Sequence, residues 1–388
     1  MVGKTAISQR DQRVVALKCD SYDEIKEIVS KGLDLLGGAA EFVRPNETIV
    51  FKPNLLLGDN PEHGTTTHPE MFRAVAELFQ PIGAALQFGD SPGFGSSQMA
   101  ARGAGLTAIA EELGVGFADF NTGVDISNSG GKLIKSFNLA KGILDADGVI
   151  NLPKFKTHAL TRLTGAVKNL FGCLPGVQKA GFHARLTDEF KFSEMLVDLA
   201  ELVGPRLHIM DGVIGMEGNG PRNGTTRQVG VILMSVNPHA LDYVVAQIMD
   251  IDPQLVPTLN AAISRGLLIP EQIILLGDSV KEMVLPDFQV NRSRTSTTGK
   301  PGFWRTLVKN WITSRPVINP DRCTHCGRCV KICPAEPKAL SFTLGKQSPP
   351  QYDYDFCIRC YCCQEMCPEE AISVERPVLG KLLDHVRG

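Results

Sequence analysis

The sequence predicts an α/β fold, in which helices cover both faces of a parallel-rich sheet, followed by a small α+β domain at the C-terminal end. Three observations support this prediction. Strand-like and helix-like segments alternate over residues 1–285, glycine-rich loops separate them, and nine of the 11 cysteines lie between Cys323 and Cys367. Alternation over such a length is typical of parallel sheets whose connections are helices.

Seven short segments are predicted to be strands because they are rich in Val, Ile and Leu. Their nearly continuous apolar runs are typical of strands that are buried on both faces. In chain order, the predicted strands are Arg13–Cys19, Thr48–Lys52, Ala84–Gly89, Gly148–Leu152, Arg206–Met210, Gly230–Val236 and Gln272–Leu276.

The segments between these strands show the 3.6-residue periodicity of amphipathic helices. A further helix is predicted over Arg162–Phe171, where it would place Lys168 two turns from the helix start. The other predicted helices are Tyr22–Leu36, Pro69–Phe79, Gln98–Leu113, Phe190–Val203 and His239–Met249.

Composition excludes several classes of protein. Apolar residues make up 43% of the 388 residues, which is enough for a core and excludes overall disorder. A net charge of −2 argues against a nucleic-acid-binding chain. The sequence shows no secretory signal and no apolar run of the ~18 residues that a membrane helix needs. We therefore expect a cytoplasmic protein with no transmembrane segment and no nucleic-acid partner.

Residues 286–316 differ from the preceding α/β domain (1–285), because they are basic and rich in turn-forming residues. We expect a linker there, followed by a short amphipathic helix that carries Trp304 and Trp311. The helix would either pack on a neighbouring domain or dock a redox partner or a membrane surface. Residues 317–376 would form the cysteine-rich domain, and residues 377–388 a C-terminal tail.

The cysteines form two copies of the motif C-x-x-C-x-x-C-x-x-x-C-P, starting at Cys323 and Cys357. Three thiolates at positions i, i+3 and i+6 can wrap one face of a four-iron cubane, whereas structural zinc prefers paired C-x-x-C knuckles. The repeat resembles bacterial two-cluster ferredoxins over Asn319–Val374. In that fold the fourth cysteine of each motif ligates the other cluster. The resemblance implies two [4Fe–4S] clusters, one on Cys323, Cys326, Cys329 and Cys367, the other on Cys357, Cys360, Cys363 and Cys333. Cys362 is an extra cysteine, for which we expect a small buried side chain.

Polar and glycine-rich clusters follow four of the predicted strands in the α/β domain. Each could be a structural turn, but in open α/β sheets such clusters meet in a crevice beyond the carboxyl ends of the strands. We therefore predict one basic crevice that takes a carboxylate or a phosphate. Its predicted catalytic residues are Asp90, His158 and Lys168, and its predicted ligand-binding residues are Lys52, His68, Ser91, Lys154 and Lys156.

These clusters also carry a resemblance. Lys52-Pro-Asn, Thr67-His-Pro, Gly89-Asp-Ser-Pro-Gly, Pro153-Lys-Phe-Lys-Thr-His158 and Thr164-Gly-Ala-Val-Lys168 together resemble the family catalogued as domain of unknown function 362. Members often carry a ferredoxin tail, but the resemblance implies no settled activity. A stretch from His158 to Gly176 is also similar to nickel-pincer lactate racemases. It departs at Ala166 and Val167, so it supports His158 and Lys168 as site residues and no nickel.

Two functional hypotheses follow. In the first, the clusters pass electrons to or from a small anionic ligand or cofactor in the α/β domain, as in an iron–sulfur oxidoreductase. The alternative is a non-catalytic ferredoxin-like electron carrier, or a protein whose large domain binds a cofactor or a partner. The expected partner is accordingly a redox protein or a small anionic substrate. Sequence leaves open whether the chain is an enzyme.

Overall fold

The computed structural model describes residues 11–93, 95–176, 178–293 and 310–379. Within these ranges, ten strands form one mixed sheet with the order β12-β1-β11-β10-β7-β2-β3-β4, and β8 and β9 extend it beside β10. Its strands are β1 (Arg13–Lys18), β2 (Thr48–Pro53), β3 (Ala85–Phe88), β4 (Gly116–Phe117), β7 (Gly148–Leu152), β8 (Lys154–His158), β9 (Arg162–Leu163), β10 (Leu207–Glu217), β11 (Thr225–Ser235) and β12 (Ile274–Gly277). A separate hairpin is formed by β5 (Gly123–Ser127) and β6 (Ser136–Ala140).

The predicted α/β class is confirmed, and the sheet is largely parallel. The pairs β12–β1, β10–β7, β7–β2, β2–β3 and β3–β4 are parallel, whereas β11 runs antiparallel to both β1 and β10. The central parallel strands β2, β3 and β7 therefore end at the same edge of the sheet. This edge is where an open α/β sheet places a ligand crevice.

Helices connect the strands and cover the sheet. They are α1 (Ile25–Leu35), α2 (Pro69–Phe79), α3 (Ser97–Gly103), α4 (Leu106–Leu113), α5 (Lys141–Leu144), α6 (Gly165–Asn169), α7 (Gln178–Arg185), α8 (Glu189–Val203), α9 (Pro238–Ile248) and α10 (Pro257–Ser264). The helix expected over Gln98–Leu113 is two helices, because Gly105 adopts a left-handed conformation (φ +76°) between them.

Successive residues of each strand pack on opposite layers. In β2, Ile49 and Phe51 join a core with α1, α2 and α4, while Val50 joins a core with α8. In β1, Val15 packs on the first layer, and Val14 packs with α9 on the other. This period of two explains why the strand sequences are apolar throughout, since both faces of the sheet are covered.

The prediction of a helix over Arg162–Phe171 is wrong for its first residues. Arg162 has a positive φ of 69° and pairs with His158 in the β8–β9 hairpin. The helix α6 spans only Gly165–Asn169, and a 3₁₀ turn follows it. The reason is tertiary, because the carboxylate of Asp242 on α9 accepts the Ala166 and Val167 N–H groups and so fixes where the helix begins.

The α/β part continues past residue 285. Phe288 is fully buried and packs edge-on against Phe155 of β8, with ring centroids 5.7 Å apart. The Arg292 side chain then donates to the carbonyls of Asp250 and Met249. Most of the predicted linker, and Trp304 of the predicted amphipathic helix, lie outside the described residues. The Trp311 side chain is 63% exposed.

The C-terminal part has the two-fold repeat that the cysteine motifs predict. Antiparallel pairs join β13 (Arg315–Ile318) to β16 (Ile372–Glu375), and β14 (Leu340–Ser341) to β15 (Gln351–Tyr352). Each motif contributes one short helix, α11 (Arg328–Ile332) and α12 (Cys362–Glu365), and these two helices contact one another. Within the described ranges, none of the helices is both long and apolar enough to cross a bilayer.

Candidate site at the junction of the two parts

A cavity of about 390 Å³ lies where the C-terminal part meets the carboxyl edge of the large sheet. Such a volume is in the range of about 300–1,000 Å³ in which proteins bind small molecules. The α/β part supplies loops after β2 and β3, the strand β8, and helices α6 and α7. The C-terminal part contributes Lys331, Ile332, Cys362, Glu365 and Met366.

Strand β8 points three basic side chains toward one face, because alternate residues of a strand share a face. Lys156 and His158 line the cavity, whereas Lys154 does not. The structure thus places only two of the three predicted basic residues of this strand on the cavity wall. No sequence pattern within β8 distinguishes Lys154 from the two residues that line the cavity. Only the position of the strand relative to the cavity does so.

Lys154 and His68 belong to a separate buried cluster. The Lys154 ammonium lies 2.7 Å from an Asp211 carboxylate oxygen, and both side chains are fully buried. The Tyr22 hydroxyl donates to the same carboxylate, and the His68 ring stacks on Tyr22 with centroids 3.6 Å apart. His68 also caps α2 by accepting the Glu70 N–H. Contrary to expectation, His68 and Lys154 therefore do not line the cavity, and the Lys154 ammonium is bound by Asp211 and the Tyr22 hydroxyl.

Lys52 and Asp90 form a second buried ion pair at the sheet edge. Lys52 Nζ lies 2.8 Å from Asp90 Oδ1, and the other carboxylate oxygen accepts the Leu55 N–H at 2.9 Å. Asp90 lines the cavity, but Lys52 lies behind it. Gly172 permits this arrangement, because a Cβ at that position would overlap Oδ1 of Asp90. The pair holds the loops after β2 and β3 together.

Two further lysines, the buried Lys156 and the half-buried Lys179, are bound by neutral oxygen atoms. Lys156 Nζ donates to Asn54 Oδ1 and the Thr65 carbonyl. Lys179 Nζ donates to the hydroxyl and carbonyl of Ser91 and to two other carbonyls. Burial lowers the pKa of each of these lysines to about 7. Ser91 was predicted as a ligand-binding residue and lines the cavity, but Lys179 occupies its hydroxyl.

Lys168 differs from these lysines. It lines the cavity, and its ammonium lies over the Phe171 ring at 4.8 Å from the centroid. Burial lowers the pKa of Lys168, while the nearby Glu365 carboxylate opposes this change. The Thr164 hydroxyl, on the same wall, is buried and makes no hydrogen bond within the described residues. An anion in the cavity would have these two groups as donors.

His158 and Glu365 join the two parts of the molecule. His158 Nδ1 accepts the Leu160 N–H at 3.1 Å, so the proton of the neutral ring is on Nε2. That nitrogen lies 3.2 Å from Glu365 Oε1. Burial lowers the pKa of His158. Burial raises the pKa of Glu365, but the His158 hydrogen bond and the Lys168 charge outweigh it and lower this pKa to about 2. The contact is therefore between a neutral imidazole and a carboxylate.

Cysteines that are far apart in the chain lie close together in the C-terminal part, and Cys363 packs in the same cluster as Cys329 and Cys367. Cys323, Cys326, Cys329 and Cys367 line one small cavity. Burial and the neighbouring sulfurs of this set raise the pKa of the Cys329 thiol to about 12. In the second set, Cys333 packs on Cys357, while burial and the sulfurs of Cys360 and Cys357 raise the pKa of Cys363. No group of three or more His, Cys, Asp or Glu side chains within the described ranges is arranged to hold a single metal ion.

These sets fit cubane clusters by their chemistry, since each offers four thiols with apolar neighbours such as Leu340 and Ile372. Thiolates are the usual ligands of [4Fe–4S] clusters, and hydrogen bonds to the sulfurs tune them. Two such bonds are present, from the Tyr352 hydroxyl to Cys363 Sγ and from the Ala371 N–H to Cys367 Sγ. Cys362 is buried, as expected, and lines the large cavity.

Both parts of the chain match models of known protein families. The family model for the domain of unknown function DUF362 matches residues 49–247, and that for a 4Fe-4S dicluster domain matches residues 315–368. The chain belongs to the DUF362 family. A thylakoid-associated protein of Synechocystis sp. is 38% identical over 302 residues, which cover 73% of this chain and 92% of that protein. The DUF362 part carries the sheet and most of the cavity, and the dicluster match supports iron–sulfur cluster binding.

A solved structure with some similarity is the lactate racemase apoprotein of Thermoanaerobacterium thermosaccharolyticum, with 10% identity and a TM-score of 0.38. The matched region covers 61% of this chain and 58% of that one. Sequence reasoning did not single out several cavity residues of the DUF362 chain, among them Lys179, His183 and Glu365. Asn54, which belongs to the Lys52-Pro-Asn cluster of the sequence analysis, does line the cavity.

Proposed function

We propose that this protein transfers electrons between two [4Fe–4S] clusters in its C-terminal part and a small anionic ligand or cofactor in the junction cavity. One observation carries the proposal. Three C-terminal residues that line the cavity, Ile332, Cys362 and Met366, each directly precede a proposed cluster ligand. A molecule in the cavity would therefore contact the segments that hold both clusters. When bound, the clusters supply one-electron transfer.

The charges around the cavity favour an anion. Asp90 is neutralised by Lys52, and Glu365 Oε1 lies 3.2 Å from His158 Nε2. Lys168 then remains as an ammonium over an aromatic ring, with no carboxylate within salt-bridge distance among the described residues. Since a partly buried charge without a partner is costly, a carboxylate or phosphate group of the ligand is the natural counter-ion. Lys168 and the Thr164 hydroxyl would bind this group.

The His158–Glu365 pair is placed to contact the ligand and to connect it to the C-terminal part. The proton on His158 Nε2 faces the cavity wall and the Glu365 carboxylate, and the backbone N–H of Leu160 keeps the ring in this tautomer. Because burial lowers the pKa of His158, the ring is neutral near pH 7, and its proposed role is to donate a hydrogen bond to the ligand and not a proton. Asp90 has both oxygens engaged, so its proposed role is to hold the cavity loops.

The test is a search for the ligand in protein purified without oxygen. We expect mass spectrometry to find a small anion released on denaturation, and we expect this compound to reoxidise the reduced clusters. Lys168→Gln should lose the compound while iron remains at about eight atoms per chain. Lys31→Gln, which changes an exposed lysine, is the matched control. The carrier hypothesis is correct instead if three results occur together: the iron content is intact, no compound is released, and Lys168→Gln leaves electron exchange with a partner ferredoxin unchanged.

We also propose that the protein acts in the cytoplasm. The thylakoid-associated relative makes a membrane surface the alternative location, so fractionation of cells at low and high salt separates the two. Recovery in the soluble fraction at both salt concentrations would support the cytoplasm, and recovery with membranes at low salt would contradict it.

A further inference from the structure

The two cysteine motifs have the same cysteine spacing, but different cations contact the backbone at their fourth cysteines. In the first motif, the exposed Lys338 lies five residues after Cys333. Its ammonium donates to the Cys333 carbonyl at 3.3 Å, and to the carbonyls of Val330 and Lys331 at 2.8 and 3.1 Å. A positive charge is therefore fixed beside the backbone of this proposed ligand.

The second motif has no such lysine. The residue five positions after Cys367 is Ile372, which is buried in the apolar core of the C-terminal part. The Cys367 carbonyl nevertheless accepts a hydrogen bond from a cation. The donor is the Arg222 guanidinium, which lies between β10 and β11 in the α/β part, 145 residues away in the chain.

Arg222 is held rigidly in this position. Its Nε and Nη2 donate to the carboxylate oxygens of Asp59 at 2.7–3.1 Å, in a two-point ion pair whose side chains are only 12% and 9% exposed. Asn223, in the same loop, donates to the Ile372 carbonyl at 3.0 Å. The loop thus binds the segment that follows Cys367, and Arg222 is its only charged contact with this segment among the described hydrogen bonds.

We infer that Arg222 replaces, from the α/β part, the lysine that the second motif lacks, and that it sets the reduction potential of the cluster ligated by Cys367. This inference rests on the proposed ligand assignment and does not depend on what binds in the cavity. A cluster gains negative charge when it is reduced. A fixed guanidinium beside its ligand, shielded from water, therefore favours the reduced state and raises the potential.

The test is a potentiometric titration of the anaerobic full-length protein, followed by electron paramagnetic resonance. We expect Arg222→Gln to reduce the equilibrium constant for reducing one cluster at least tenfold, which is about 59 mV for a one-electron couple. Lys338→Gln should shift the other cluster in the same direction. The Lys338 shift should be smaller, because this lysine is exposed to water. Arg222→Lys should restore most of the potential.

Controls separate charge from docking. Asn223→Ala removes an uncharged contact of the same loop and should leave both potentials unchanged. Asp59→Asn removes the negative charge beside the guanidinium. It should therefore raise the reduction potential of the cluster ligated by Cys367, whereas Arg222→Gln should lower the potential of the same cluster. The inference is overturned if Arg222→Gln leaves both potentials unchanged, if it shifts the same cluster as Lys338→Gln, or if Asn223→Ala produces the same shift.

Iron content separates a failure of the inference from a failure of the ligand assignment. Unmodified protein with two resolved one-electron steps and about eight irons supports the assignment, whatever Arg222→Gln does. If Arg222→Gln loses iron, the Asp59→Asn potential decides the question, because this variant keeps the guanidinium. An unchanged potential in Asp59→Asn would then overturn the inference.

Discussion

Removal of the Asp90 carboxylate should destabilise the α/β part strongly. Lys52 and Asp90 form an ion pair of 2.8 Å in which the two side chains are 0% and 6% exposed. Asp90→Ala leaves the Lys52 ammonium buried without a counter-ion, which costs about 3–5 kcal/mol of the free energy of unfolding. Because small domains have only about 5–15 kcal/mol in total, this is a large fraction. With an m-value of about 3 kcal/mol/M, the urea midpoint should fall by about 1–1.7 M.

The assay is urea denaturation of the full chain without oxygen, followed by far-ultraviolet circular dichroism. Lys18→Met is the matched control, because Lys18 and Glu282 form an ion pair of similar length, 2.7 Å, at the surface. Solvent screens that pair, so we expect no measurable change in the midpoint. An Asp90→Ala midpoint equal to that of the control would refute the argument that burial makes the first pair important.

A double variant separates the structural role of Asp90 from a catalytic one. Lys52→Met with Asp90→Asn removes both charges and keeps similar volumes, so at least half of the lost stability should return. If electron exchange with the cavity ligand also returns, Asp90 acts by holding the loops. If stability returns and exchange does not, Asp90 takes part in the chemistry, as the sequence predicts.

Three further predictions concern Lys156, Gly172 and the cysteines. Burial lowers the pKa of Lys156 to about 7 from 10.5, so its folded-state penalty is complete below pH 7 and disappears as the pH rises toward 10.5. The parent protein should therefore gain stability between pH 7 and pH 10, and Lys156→Met should show a smaller gain over the same range. Melting temperatures that rise equally with pH in the variant and the parent would contradict this. Gly172→Ala should destabilise by about 1–3 kcal/mol in the same urea assay, because its Cβ overlaps the buried ion pair. Gly181→Ala, with open space around its Cβ, should be neutral or stabilising. Cys362→Ser should keep about eight irons per chain, whereas Cys363→Ser should lose about half of them on analysis by mass spectrometry of the metal. Equal iron loss in both variants would contradict the ligand assignment.

The sequence by itself determined the features whose causes are local. The cysteine spacing predicts three ligands of each cluster, because residues three apart on a tight loop can reach one cubane whatever surrounds the loop. The helix Pro69–Phe79 was predicted with the bounds that the structure has, since its apolar period and its His68-Pro69 start are contained in its own residues. Apolar runs also located β2 and β7, because strands covered on both faces need no polar alternation.

Only the tertiary structure decided which polar residues meet. Lys154 and Lys156 are two positions apart on one strand, yet one pairs with Asp211 in the interior and the other lines the cavity. Glu365 and Arg222 gave no signal in the sequence, because their partners His158 and Cys367 are brought to them by the docking of the two parts of the chain. The short helix after Arg162 depends likewise on the Asp242 carboxylate of a distant helix. Local spacing encodes a local ligand set, whereas a site formed between domains depends on contacts over long sequence separations, which no local pattern records.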